Sequence, residues 1–187
     1  MELTDEADPE ALPDDVRELV ISRLDSFSPE GQAALRAGSV FDGEFSVEAL
    51  GSVAEIQDVG KIRQILAELS LSQMIQESRE GHYVFRHGLT QSVIYESLSR
   101  AQRLKFHRIA VAYWREHREL SFQPMALSYH LTKIGLLPEA VEVITAAAED
   151  AERAGNVERA IELYARALEI LPEERSISAQ LERLTGA

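Results

Sequence analysis

The stretch Met74-Ile75-Gln76-Glu77-Ser78-Arg79-Glu80-Gly81-His82-Tyr83-Val84-Phe85 decides the fold, because it interrupts an otherwise helical pattern. Its apolar ends flank a polar turn that contains a glycine, which is typical of a β-hairpin. On both sides of it, apolar residues recur at spacings of three and four, the period of an amphipathic helix. The sequence therefore predicts a mainly α-helical chain with one small β-hairpin.

Four helices are predicted before this hairpin and one after it. Each of the four begins with a residue type that favours helix starts. These starts are Pro13, Ser28-Pro29, Ser46 and Asp58. Apolar residues from Leu89 to Leu98 recur at helical spacing and predict the helix after the hairpin. This order of elements is typical of a winged helix-turn-helix unit, so we expect a winged-helix domain over residues 13–98.

Beyond a basic connecting helix at 99–119, the pattern changes to alanine-rich helix pairs with short connections. Two segments align with each other, residues 137–144 and 156–164. Ala160, Tyr164 and Ala167 have the offsets of the second half of a tetratricopeptide repeat, in which small residues let helices approach and the aromatic ring fills the gap. We expect about one and a half such repeats over residues 120–187.

Repeats of this kind bury their faces against neighbouring repeats. We therefore expect the last helix to end on an exposed apolar edge, and the chain to be part of a longer protein.

Composition excludes several classes of protein. The 187 residues include 32 acidic and 19 basic side chains, for a net charge of −13, and no cysteine. Without cysteine there are no disulfides, zinc ribbons or iron–sulfur clusters, and the chain fits a cytoplasmic location. No stretch approaches the roughly 18 apolar residues of a membrane span. Residues 1–12 are acidic and aperiodic, and we interpret them as a linker.

The motifs that would make this chain an enzyme are missing from its sequence. There is no phosphate-binding loop, no GxGxxG, no HExxH and no GxSxG. His107 and His117 lie ten residues apart and could share a helix face, but no third metal ligand accompanies them. We therefore expect a non-catalytic chain that holds neither a metal nor a cofactor of its own.

One run has high specificity, from Tyr83 to Leu98, which reads YVFRHGLTQSVIYESL. Together with the opening at Leu12–Leu19, it resembles the region that follows the ATPase module in STAND-type signal-transduction ATPases. The resemblance covers roughly residues 12–172, and it is strongest to bacterial forms linked to a cyclase, a kinase or a LuxR-type activator. It implies a winged-helix domain followed by tetratricopeptide-like repeats, with ATP or ADP bound by a separate module.

The resemblance also implies a role for His87. In related ATPases, a winged-helix histidine in a Met-His-Asp run contacts the β-phosphate of ADP and helps to lock the resting state. The matching run here is Arg86-His87-Gly88, so His87 would contact ADP only in the presence of that ATPase module. The alternative interpretation is that His87 caps the following helix or packs under the hairpin.

A second candidate site is the basic helix at 99–119. Four of its cations recur at spacings of two to three residues: Arg100, Arg103, Lys105 and Arg108. They would dock an acidic partner or the chain's own acidic arm. The alternative is a solvated face, because exposed charge pairs contribute little to binding or stability.

These observations predict a regulatory and protein-interaction segment that couples the nucleotide state of an ATPase to a sensor arm and an output domain. Its partners would be a nucleotide-binding domain in cis and an unknown protein or inducer on the repeat arm. Two alternatives stay open, a stand-alone winged-helix DNA-binding regulator and a free-standing tetratricopeptide adaptor. The net negative charge disfavours DNA, and the helix from Asp58 offers only Lys61 and Arg63 beside its own carboxylates.

Overall fold

The computed structural model of the protein describes residues 14–117 and 124–186. Within those ranges the chain forms ten helices and three short strands, so the prediction of a mainly helical protein with a small antiparallel sheet is confirmed. The chain divides into two compact units, Met1–Ile109 and Ala110–Ala187. The predicted linker at 1–12, the helix start at Pro13 and the join near residue 119 lie outside the described residues.

The first unit contains five complete helices and the sheet. Its helices are α1 Asp14–Asp25, α2 Pro29–Gly38, α3 Val47–Val53, α4 Val59–Leu71 and α5 Gly88–Ser97. Three predicted helix starts are confirmed, because the side chains of Ser28, Ser46 and Asp58 accept hydrogen bonds from backbone N–H groups in the first turns of α2, α3 and α4. The helix α6, Arg100–Glu116, begins in this unit and ends in the second.

The sheet contains the predicted hairpin and one additional strand. The hairpin consists of β2 Ile75–Arg79 and β3 His82–Phe85, joined through Gly81 at a φ of +71°. The additional strand β1, Phe45–Ser46, pairs antiparallel with β3, which gives the order β1-β3-β2. The side chains of Phe45 and Phe85 are buried under the sheet, with ring centroids 6.3 Å apart.

The core of the first unit lies between this sheet and the helices. The apolar stripe predicted for α4 is buried, and it consists of Ile62, Ile65, Leu66 and Leu69. Val93 and Ile94 of α5 are 0% exposed. Because α5 is fixed by these side chains, its N-terminus has a defined place next to the end of β3.

Replacement of Gly51 by alanine should have an unusual effect on the stability of the first unit. In most helices this exchange stabilises by about 1 kcal/mol, but a Cβ at Gly51 would lie 3.0 Å from the backbone oxygen of Ile56. That turn is fixed by a 2.8 Å hydrogen bond from the Ile56 N–H to the Gly51 oxygen. We expect Gly51→Ala to destabilise the first unit by about 1 kcal/mol, the lower end of overpacking costs.

Thermal unfolding followed by circular dichroism measures this effect. Gly88→Ala is the matched control, because a Cβ there meets nothing within 4 Å. A stabilised Gly51→Ala variant would contradict the prediction.

The second unit consists of the end of α6 and four further helices. They are α7 Pro124–Lys133, α8 Leu137–Arg153, α9 Val157–Ile170 and α10 Arg175–Thr185. Each packs against the next along the chain, through connections of three or four residues. Ala160, Tyr164 and Ala167 are at most 1% exposed and lie in one cluster, as predicted for these helix contacts.

The expected exposed apolar edge on the last helix is wrong for the described residues. Ile177 of α10 is 3% exposed, and Leu181 and Leu184 are partly buried against the same cluster. These three residues recur at spacings of four and three, which places them on the face of α10 that packs against α9.

Among the helices that the structure describes, none combines the length and the apolar character that a membrane span requires.

Candidate functional site

His87 lies at the junction between the sheet and α5. The strand β3 ends at Phe85, and the Arg86 N–H donates a 3.1 Å hydrogen bond to the Met74 oxygen beside β2. His87 then takes an extended conformation (φ −132°, ψ 124°) as the N-cap residue of α5. Its carbonyl accepts the first hydrogen bond of the helix, from the Thr90 N–H at 3.0 Å.

The side chain of His87 takes no part in this capping. The imidazole is exposed and makes no capping hydrogen bond, and it has no other partner among the described residues. His87 therefore occupies the cap position through its backbone alone, and it does not pack under the hairpin. The structure thus agrees with a capping role for the His87 backbone, and it gives the imidazole no structural contact within the described residues.

The surroundings of His87 suit an anion. The first N–H groups of a helix have no partners within the helix and carry a partial positive charge. Arg86 and Gly88 are exposed, and the space around the Gly88 Cα is open. A guanidinium, an imidazole and a helix N-terminus are thus neighbours along the chain, and each is a kind of group that binds phosphate.

Arg103 has a structural role within the first unit. Its Nε donates to the backbone carbonyl oxygen of Leu98 at 3.0 Å, and its Nη2 donates to the backbone carbonyl oxygen of Glu96 at 3.2 Å. The guanidinium also lies 4.9 Å from the centre of the Tyr95 ring. These contacts join the end of α5 to the start of α6. The half-buried Arg103 side chain is therefore bonded within the first unit and is not free to bind a partner.

The other three cations of the second candidate site differ in their pairing. Lys105 forms an exposed ion pair with Glu55, whereas Arg100 and Arg108 are exposed and have no ion pair in the described part of the chain. At 100° per residue, the four predicted cations spread over about 200° of the helix circumference. The structure therefore does not bring them onto one narrow docking face.

His107 of α6 and His117, which directly follows α6, are both used in local contacts. His107 is 1% exposed, and its Nε2 lies 3.2 Å from the Tyr95 hydroxyl. The Nδ1 of His117 lies 2.8 Å from the backbone carbonyl oxygen of Tyr113. Among the residues that the structure describes, no group of three metal-ligating side chains comes together.

A surface cleft between α8 and the start of α10 was not predicted from the sequence. It is lined by three glutamates, Glu142, Glu149 and Glu174. The spacing of seven residues between the first two was a usable signal, because it places them on the same face of a helix two turns apart. The third was not recognisable without the position of α10.

Comparison of the chain with protein-family models, with curated proteins and with solved structures finds no match. The function of the chain is therefore inferred from the chemistry of these sites.

Proposed function

We propose that the chain is a non-catalytic regulatory and protein-interaction segment of a larger STAND-type signalling ATPase. In this role it couples the nucleotide state of a separate module to a sensor arm and an output domain. The observation that carries the proposal is the position of His87, whose exposed side chain is uncommitted at the start of α5. The resemblance of the run around it supplies the context.

The first unit supports a winged-helix assignment. From α2 onward its elements follow the order helix, strand, two helices and two strands, and the short strand β1 pairs with the last strand β3. This order and pairing agree with a winged helix, in which α4 would take the place of the recognition helix and the hairpin would be the wing. The N-terminus of α5 then follows the wing directly.

The second unit supports a tetratricopeptide-like arm. Helices joined by short loops and packed in chain order form successive antiparallel pairs. The buried Ala160 and Ala167 let α9 approach its neighbours, and Tyr164 fills the space between them. Such stacked pairs present extended surfaces on which a partner binds.

Residues of this chain would bind the phosphate of an ADP molecule that the ATPase module holds. The His87 N–H would donate a hydrogen bond, and Arg86 and the α5 N-terminus would add positive potential. Because ADP and ATP present different phosphates, the two nucleotides would have different affinities for the arrangement in which His87 contacts the nucleotide. Such a difference is the requirement for a ligand-driven switch.

The outward face of α4 favours a protein-binding role over DNA binding. The Nζ of Lys61 lies 2.8 Å from a carboxylate oxygen of Glu30, and the hydrogen bond from Lys61 lowers the pKa of that carboxyl group. The amide of Gln64 donates to Glu68 at 3.3 Å. Base readout needs free Arg, Asn or Gln side chains with lysines around them. On this face, within the described residues, only Arg63 has neither an ion pair nor a hydrogen bond.

The first test of the proposal is the mass of the native polypeptide, measured by immunoblotting of source cells with antiserum to this chain. We expect a band several times larger than 20.9 kDa. In that polypeptide, His87→Ala should release bound ADP about tenfold faster, because one charge-assisted hydrogen bond is lost.

His82→Ala is the matched control, because its imidazole contacts the backbone oxygen of Glu80 in the hairpin turn. It should retain ADP as the unmodified protein does. A band at the size of this chain would overturn the proposal and favour a free-standing adaptor. Unchanged ADP release from His87→Ala would remove His87 from the nucleotide site.

A further inference from the structure

The second unit contains a cleft of about 520 Å³ between α8 and the start of α10. Its apolar part includes Val141 and Ile177, which are 6% and 3% exposed. Its polar part includes the carboxylates of Glu142, Glu149 and Glu174. The cleft therefore combines an apolar floor with a rim of one charge sign.

The negative charge of this rim is not neutralised by the arginines of the unit. Residues 124–186 contain eleven acidic side chains and six lysines and arginines. Four of the arginines pair with carboxylates that do not line the cleft. These pairs are Arg153–Asp150, Arg159–Glu162, Arg166–Glu169 and Arg183–Glu152.

The two remaining cations also lie outside the lining. Lys133 lies over the ring of Tyr129, and Arg175, which lies between the lining residues Glu174 and Ser176, forms no ion pair within the described residues. Glu142 and Glu149 have no ion pair or hydrogen bond within the described residues. The ion pairs of this unit therefore involve carboxylates outside the cleft, and the glutamates that line the cleft keep their negative charge.

One further observation agrees with a site that is open to a ligand. Thr145 also lines the cleft, and its Oγ1 is shielded from solvent without a hydrogen-bond partner in the described chain. A ligand with hydrogen-bond donors would satisfy a polar group that the protein leaves unpaired.

The spacing of the carboxylates defines the ligand. Glu142 and Glu149 are seven residues apart on α8, which separates them by about 10 Å along the helix axis. A peptide in the polyproline II conformation returns to the same side every three residues, over about 9 Å. Two cationic side chains at positions i and i+3 of such a peptide match the two glutamates.

We propose that this cleft binds a basic peptide segment of a partner protein, with two arginines or lysines three residues apart and an apolar residue between them. The cations pair with Glu142 and Glu149, and the apolar side chain covers Val141 and Ile177. This inference rests on the proposed role of the second unit as a binding arm, and it names the chemistry of the partner.

The test uses the full 187-residue chain and a fluorescein-labelled peptide, Gly-Arg-Leu-Pro-Arg-Gly, in a fluorescence anisotropy titration at low ionic strength. We expect saturable binding that weakens at about 1 M salt, where charge interactions are screened. The same peptide with both arginines replaced by glutamate should not bind.

Two double variants with the same change in net charge locate the site. Glu142→Gln/Glu149→Gln should weaken binding about tenfold, the loss expected when two exposed charge pairs are removed. Glu158→Gln/Glu182→Gln removes two exposed carboxylates outside the cleft lining and should change the affinity less than about twofold. Circular dichroism checks that both variants stay folded.

Equal weakening by both double variants would overturn the inference, because it would show a general attraction to an acidic protein. Absence of binding, or displacement of the peptide by an equal concentration of spermidine, would overturn it as well. The immunoblot and ADP measurements distinguish the two proposals. A native band at 20.9 kDa rejects the ATPase role and leaves this binding result intact, whereas loss of peptide binding leaves ADP retention intact.

Discussion

Leu66→Ala should lower the free energy of unfolding of the first unit by about 3 kcal/mol. Leu66 is 0% exposed in the middle of the apolar stripe of α4. Removal of its branched side chain loses the transfer free energy of the buried atoms, and the close-packed surroundings relax only in part, so a cavity stays. A loss of this size is a large fraction of the stability of a small domain.

Leu71→Ala is the matched control because it makes the same chemical change in the same helix. Leu71 is 85% exposed, so its truncation removes almost no buried area, and we expect a change within about 0.5 kcal/mol. Urea unfolding followed by far-ultraviolet circular dichroism measures both variants. Equal stability of the two variants would contradict the placement of α4 in the core.

The helices of the first unit were predictable because their signals are local. In α4, the start at Asp58 and the stripe from Ile62 to Leu69 lie within one short segment, and the structure confirms both. The strand β1 was missed because two residues are too few for a periodic pattern. Its pairing of Phe45 with Tyr83 depends on a contact between residues far apart in the sequence.

The candidate sites divide in the same way between local and long-range information. The place of His87 at the start of a helix follows from the hairpin and the helical spacing after it, but the exposure of its imidazole does not. From its spacing to the other cations of α6, Arg103 is predicted to be an exposed surface cation. Its hydrogen bonds to the backbone carbonyl oxygens of Glu96 and Leu98 depend on the turn between α5 and α6, which the sequence pattern does not fix.

The sequence contains a local signal for the packing of α10. Ile177, Leu181 and Leu184 recur at spacings of four and three, as the packed face of a helix requires. The aligned repeat segments end before this helix, so the repeat pattern by itself predicts no cover for the preceding apolar face. Because α10 supplies that cover, it also creates the acidic cleft along α8.

Tyr164→Ala should be the most destabilising single change in the second unit, by about 4 kcal/mol. Tyr164 is 1% exposed and lies in the cluster formed by α8, α9 and α10. Its neighbours in that cluster include Ala148, Ala160 and Ala167, which are all 0% exposed. Such small side chains cannot extend into the space that the aromatic ring would leave, so the cavity would persist.

The fluorescence of Trp114 measures this loss directly, because it is the single tryptophan of the chain and belongs to the second unit. In urea, Tyr164→Ala should move the Trp114 transition to a much lower midpoint. Tyr164→Phe keeps the ring and loses only the hydroxyl, so we expect a change of about 1 kcal/mol or less. If both variants shifted the midpoint equally, the hydroxyl rather than the ring would stabilise the helix contact, and the explanation of Tyr164 as the residue that fills the space between small side chains would be wrong.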